Sequence, residues 1–138
     1  MTAARLLSVE DLRLRYDGRE VLRGLSLEVR RGEMVALMGL SGAGKTSALR
    51  AVAALQSFDA GRIEVDGVAL VPGRVPAQAH LQPLRRRVGL VFQGHALFEH
   101  LCAAENVALA LQHVLGQTQA EADRAALALL GEPEEESA

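Results

Sequence analysis

The chain has 138 residues, 49% of them apolar, which is enough for a domain with a real core and excludes a disordered composition. Aromatic residues make up 3%, so the core is expected to be leucine, valine and alanine, and a net charge of −2 argues against nucleic acid as a main partner. A lone cysteine, Cys102, excludes an internal disulfide and fits a reducing compartment, and neither a membrane span nor a secretory signal is expected, so the reading is a cytoplasmic chain.

Residues 6–16 alternate, with Leu12, Leu14 and Tyr16 on one side and Arg13 and Arg15 on the other, as in a half-buried antiparallel strand. Asp17-Gly18 is a hairpin turn signal, and residues 21–29 return as a second strand through Leu25, Leu27 and Val29. Arg31-Gly32-Glu33 makes the next turn. Met34-Val35-Ala36-Leu37-Met38 is an apolar run that reads as a buried parallel strand. The helical pattern that comes later places Ala48, Ala51, Val52 and Leu55 on one face.

Between that strand and helix lies Gly39-Leu40-Ser41-Gly42-Ala43-Gly44-Lys45-Thr46, which fits G-x-x-x-x-G-K-[ST] without a mismatch. A polyphosphate needs many backbone N–H donors close together, and Gly39, Gly42 and Gly44 permit that approach. The helix beginning near Gly44 directs its free N–H groups and positive dipole end at the anion. Lys45 reaches the β- and γ-phosphates, Ser47 follows in the first turn, and the Thr46 hydroxyl suits Mg²⁺. Of 15 basic residues, Lys45 is the only lysine, placed where a phosphate loop wants a compact ammonium.

Further on, Asp59-Ala60-Gly61 reads as a turn, residues 62–65 as a strand, Asp66-Gly67 as a hairpin signal and residues 68–71 as the returning strand, broken by Pro72-Gly73. A short polar helix is expected over residues 78–84. Arg85-Arg86-Arg87 reads as a solvated turn, with a nucleotide or partner role as the minority alternative. Val88-Gly89-Leu90-Val91-Phe92 reads as a second buried strand, ending at Gln93-Gly94. Residues 105–115 form a helix stopped by Gly116. Thr118-Gln119-Ala120-Glu121 is a capping box that opens another, with Ala122, Ala125, Ala126, Leu129 and Leu130 on its apolar side and Gly131 as C-cap. Residues 132–138 are an acidic tail expected to be disordered. His80, His100 and His113 lack metal-like spacing and read as surface or packing residues.

Taken in this order, the stretches VLRGLSLEVRRGEMVALMGLSGAGKTSALR, GRIEVDG, LRRRVGLVFQ and LFEHLCAAENV resemble the ATP-binding subunit of ABC transporters, over about residues 6–130. The last stretch is similar to importers of small polar solutes, amino acids especially. The resemblance implies an α/β fold, a P-loop NTPase of the ABC type. Its N-terminal antiparallel β subdomain, an incomplete parallel core sheet and the start of the helical subdomain would occupy residues 1–131. It implies ATP and Mg²⁺ as cofactors. Tyr16 would stack on adenine, or else is an ordinary strand aromatic. Gln93 would touch Mg²⁺ or the attacking water, or else is a polar strand terminus. His95, Phe98 and Leu101 would lie near the groove for a membrane subunit's coupling helix, although a phenylalanine such as Phe98 is more often core. Implied partners are transmembrane permease subunits, which would hold the chain at the inner face of the membrane, and a second ATP-binding subunit.

The family's LSGGQ signature, the apolar run ending in Asp-Glu and the switch histidine do not occur in these 138 residues, and no aspartate follows Asp123. The expectation is therefore an N-terminal portion, poor in hydrolysis, with an unpaired apolar edge at Val35 and Leu37. The alternatives are a nucleotide- or permease-binding regulatory fragment and a truncated chain without independent function. A GTPase is disfavoured because N-K-x-D needs a second lysine and Asn106 precedes Val107. A small kinase would have only Arg85-Arg86-Arg87 as an arginine lid.

Overall fold

Alternating side chains in the first third of the chain build a twisted hairpin. In the computed structural model, which describes residues 4–75, 77–94 and 96–131, β1 runs Arg5–Tyr16 and β2 runs Arg19–Arg30. Asp17 (φ 47°) and Gly18 (φ 77°) both take left-handed conformations, as a two-residue hairpin turn requires. β3 (Ala60–Val65) pairs along the other edge of β1, and β4 (Val68–Leu70) pairs with β3 through a similar turn at Asp66-Gly67. The sheet is four-stranded and antiparallel, in the order β2-β1-β3-β4.

One device escapes strict alternation. Val9 is an odd-numbered residue and Leu12 and Leu14 are even, yet all three are buried on one side. An extra residue at Asp11 (φ 45°) breaks the register with both neighbouring strands and resets the pleat. The Asp11 N–H donates to Ser26 Oγ at 2.9 Å. A Cβ on Gly61 would lie 2.5 Å from the Asp11 carbonyl oxygen, so β3 passes the bulge only because that residue has none.

The sheet buries Val9, Leu12, Leu14, Leu22, Ile63, Val65 and Leu70 against α1 (Lys45–Val52) and α2 (Gln78–Arg85). Ala48 and Ala51 are the buried residues of α1, and their small size lets the helix lie close to the strands. The helix stops at Val52, so Leu55 lies beyond it and is exposed, contrary to the periodicity. The turn expected at Asp59-Ala60-Gly61 is already β3 from Ala60 onward. The helix expected to be polar is amphipathic, with Leu81 and Leu84 fully buried. Arg87, expected in a solvated turn, donates to the Asp66 carbonyl (2.9 Å) and carboxylate (2.7 Å).

Two expected strands do not form. Residues 34–38 and 88–92 are irregular, with Met34 96%, Met38 87% and Val91 87% exposed. A parallel strand exists only through its ladder, and among the described residues no strand lies beside either segment. Leu37 and Val88 alone reach the core, each from the half-buried side of its run.

The chain divides into two compact units, Met1–Leu90 and Val91–Ala138. In the second, α3 (Ala103–His113) packs on α4 (Gln119–Leu130) through Ala108, Ala122 and Ala126. α3 begins two residues earlier than the pattern suggests, because the Glu105 carboxylate accepts the Cys102 N–H at 2.8 Å. It ends before Leu115, and Gly116 (φ 70°) closes it by donating to Gln112 O at 3.0 Å. The Thr118 capping box forms as expected, with Thr118 N–H on Glu121 Oε2 at 2.9 Å. Leu129 and Leu130, assigned to the apolar side, are exposed in the last turn. His95 and the acidic tail of residues 132–138 lie outside the described residues. No helix among the described residues is long and apolar enough to cross a membrane.

Candidate nucleotide-binding site

The glycine loop sits where β2 meets the start of α1. Gly44 (φ 87°) is the N-cap of α1 and is buried, and a Cβ there would lie 2.7 Å from Leu22 Cδ2 and 3.1 Å from Val21 O. The sheet therefore locks the first turn of the helix, and only glycine fits both the conformation and the space. The Ala48 N–H returns to Gly44 O at 2.9 Å, and the Ala43 N–H closes the loop on Leu40 O at 3.2 Å. No side chain caps this terminus and no acidic residue occupies its first turn. Its first N–H groups and the positive end of its dipole are left to an anion.

Lys45 folds back over the loop. Its Nζ donates to Gly39 O and Leu40 O, each at 2.7 Å, which puts the ammonium on the concave side of the glycine turn. Thr46 and Ser41 are exposed, Ser47 is half-buried, and Leu40 and Ala43 stand outward. Tyr16 ends β1 opposite Arg19, in the same unit, with its side chain 62% exposed. The glycine loop, the lysine over its carbonyls and the exposed Thr46 suit a phosphate group with its cation. The space that a Cβ on Gly44 would fill is taken by Val21 and Leu22, so glycine is required there by the close packing of the helix start on β2.

Gln93 belongs to the second unit, where it is exposed in the irregular segment after Phe92. Phe98 is exposed instead of packed in a core, and its ring meets that of His100 edge-on at 5.9 Å. Leu101 is half-buried. The residue that organises this loop is one that pattern reasoning passed over. Asn106 Oδ1 accepts the Phe98 N–H at 2.9 Å, and Asn106 Nδ2 donates to the carbonyls of Phe98, Leu101 and Cys102 at 3.0–3.2 Å. One side chain ties five residues of loop to the first turn of α3. A lone asparagine one residue after an N3 glutamate was the available signal.

Charge in this unit is set by the caps. The Cys102 backbone N–H, then its side chain, holds the Glu105 carboxyl below the usual glutamate value, and the Thr118 hydroxyl, then its N–H, does the same for Glu121. In the first unit, the Asp11 carboxylate bonds the Arg13 guanidinium at 3.0 Å and raises its pKa further.

A family model described as ABC transporter matches residues 22–137. An arginine/ornithine transport ATP-binding protein of Pseudomonas aeruginosa is 42% identical over 123 residues, covering 84% of this chain and 48% of that protein. A sulfate/thiosulfate import ATP-binding protein of Xylella fastidiosa is 40% identical over 106 residues, covering 77% and 28% respectively. Among solved structures, a dimeric post-hydrolysis state of an ATP-binding cassette bound to ADP and Pi superposes with a TM-score of 0.79 at 26% identity, over 91% of this chain and 56% of that one. The chain spans about half the length, or less, of the curated relatives it matches.

Proposed function

The chain belongs to the ABC transporter family, and from that premise we infer that it is the ATP-binding part of an importer, coupling ATP binding and hydrolysis to solute uptake. The observation that carries this reading is the glycine loop locked at the start of α1, with Lys45 Nζ across its carbonyls. The loop N–H groups and the α1 dipole bind the phosphates, Lys45 neutralises charge at the β- and γ-positions, and Tyr16 supports the adenine. Thr46 Oγ1 would hold Mg²⁺, which when bound would neutralise charge on the phosphate oxygens. Membership of the family alone supports the assignment of Gln93 to Mg²⁺ or the attacking water and to signalling toward a permease subunit.

The partners in this reading are transmembrane permease subunits, which hold the chain at the inner face of the membrane, and a second ATP-binding subunit. The arginine/ornithine relative favours an amino acid as solute, whereas the sulfate/thiosulfate relative points to another small polar one. The test is binding of ATP with Mg²⁺ to the purified chain, beside Lys45→Ala. The expected result is specific binding that weakens about tenfold or more in the variant. Equal binding by both proteins sinks the reading.

A further inference from the structure

The last residues of β1 are held from a side that the strand ladder does not reach. β3 pairs with β1 only as far as Arg13↔Ala60. Past that point the Arg15 N–H has no strand beside it, and Asp59 takes the strand's place. Asp59 Oδ2 accepts the Arg15 N–H at 2.6 Å, and the Asp59 N–H donates to Arg13 O at 2.9 Å. One residue thus clasps two positions of β1 immediately before Tyr16. The clasp stands on firm ground: Phe58 beside it is buried in the core, and its carbonyl accepts the Gly73 N–H at 2.9 Å.

Tyr16 is tied by its backbone to Arg19 on the opposite edge, while its ring stands in solvent. An exposed ring takes its direction from the backbone beneath it. A stacking platform ordered before the base arrives spares the entropy of fixing it on binding. On the reading of Tyr16 as the adenine platform, we propose that Asp59 is a positioning residue of the nucleotide site. Its carboxylate fixes the end of β1 and so the Tyr16 ring, and it acts on the base end of the nucleotide alone. The phosphate loop is anchored through Gly44 on Val21 and Leu22 of β2, to which Asp59 makes no hydrogen bond.

The experiment compares MgATP with magnesium tripolyphosphate, which has phosphates and no base, by calorimetric titration of the full chain. Asp59→Ala is expected to weaken MgATP about fivefold to tenfold and leave tripolyphosphate within about twofold. Asp59→Asn keeps an oxygen acceptor and is expected to stay within about twofold of the parent for both ligands. Tyr16 is the only tyrosine and there is no tryptophan, so intrinsic fluorescence anisotropy reads this ring alone, and it should fall in Asp59→Ala. Equal loss for both ligands, or Asp59→Asn falling as far as Asp59→Ala, overturns the proposal. Tyr16→Ala separates the two layers: if it leaves MgATP binding unchanged, the platform reading itself fails. If it weakens MgATP while Asp59→Ala does not, only the role of Asp59 fails. Should Asp59→Ala not fold, hydrogen exchange of the Arg15 amide in the parent chain decides: protection supports the clasp, and exchange at the open-chain rate removes it.

Discussion

Replacing Gly44 by alanine separates two costs that the neighbouring glycine carries singly. Gly44 has φ 87° and Gly42 has φ 79°, so alanine at either position enters the left-handed region and loses about 1–2 kcal/mol. At Gly42 nothing lies within 4 Å of the new Cβ. At Gly44 the Cβ meets Leu22 Cδ2 at 2.7 Å, Val21 Cγ1 at 3.0 Å and Val21 O at 3.1 Å. The leucine methyl can swing away, but the carbonyl belongs to β2 and cannot. Overpacking of this kind adds about 1–3 kcal/mol. Gly44→Ala should therefore cost about 2–5 kcal/mol and Gly42→Ala about 1–2 kcal/mol. Against a typical domain stability of about 5–15 kcal/mol, the first is close to limiting. Urea unfolding followed by tyrosine fluorescence reports the first unit alone, because Tyr16 is the only tyrosine and tryptophan is absent. Midpoints that coincide for the two variants would refute the claim that β2 locks the loop.

At the Asp11 bulge, Gly61→Ala sets a Cβ 2.5 Å from a backbone oxygen, whereas Gly24→Ala sets one 2.6 Å from the exposed Asp11 carboxylate, a side-chain group that can turn aside. Gly61→Ala should be the more destabilising by about 1–2 kcal/mol in the same urea assay, and the reverse order would count against a rigid bulge. Asn106→Ala leaves the Phe98 N–H and three carbonyls to solvent, a loss of about 0.5–1.5 kcal/mol, and should expose the loop to chymotryptic cleavage at Phe98 well before the parent chain is cut. Glu105 and Glu121 both titrate below the ordinary value of 4.5 in the folded chain. Their caps are fully present above that value and are lost as pH falls from 4.5 through the lower folded values. Helical circular dichroism should therefore decline in that acid window, and Glu121→Gln should flatten the decline; a variant that follows the parent curve rules the cap out as its cause.

What could be read from the sequence was local. The hairpin turns at Asp17-Gly18 and Asp66-Gly67, the Thr118 capping box and the glycine loop that opens α1 are fixed by residues within a few positions of one another, and each forms where the pattern put it. The bulge at Asp11 was not legible, because it is defined by glycines on two other strands, Gly24 and Gly61, far away in sequence. Neither was the start of α3: cysteine is an unusual N-cap residue, and the Glu105 half of the box carries the bond to the backbone. Residues 34–38 and 88–92 failed for the opposite reason. Their composition is that of buried strands, but burial is conferred by neighbours, and an apolar run has no means of stating whether its neighbours lie within reach.

The glycine loop has two arms, and packing holds them unequally. On the helical arm, Gly44 meets Val21 and Leu22 of β2, and Ala48 and Ala51 lie buried in the core against the sheet. On the other arm Met34 and Met38 stand in solvent, and Leu37 alone reaches the core. The arms are joined at the loop itself, by the Ala43 N–H on Leu40 O and by Lys45 Nζ on the Gly39 and Leu40 carbonyls. Lys45 therefore has a structural task in the loop itself: it ties the carbonyls of the more exposed arm to the first residue of the helix that packing buries.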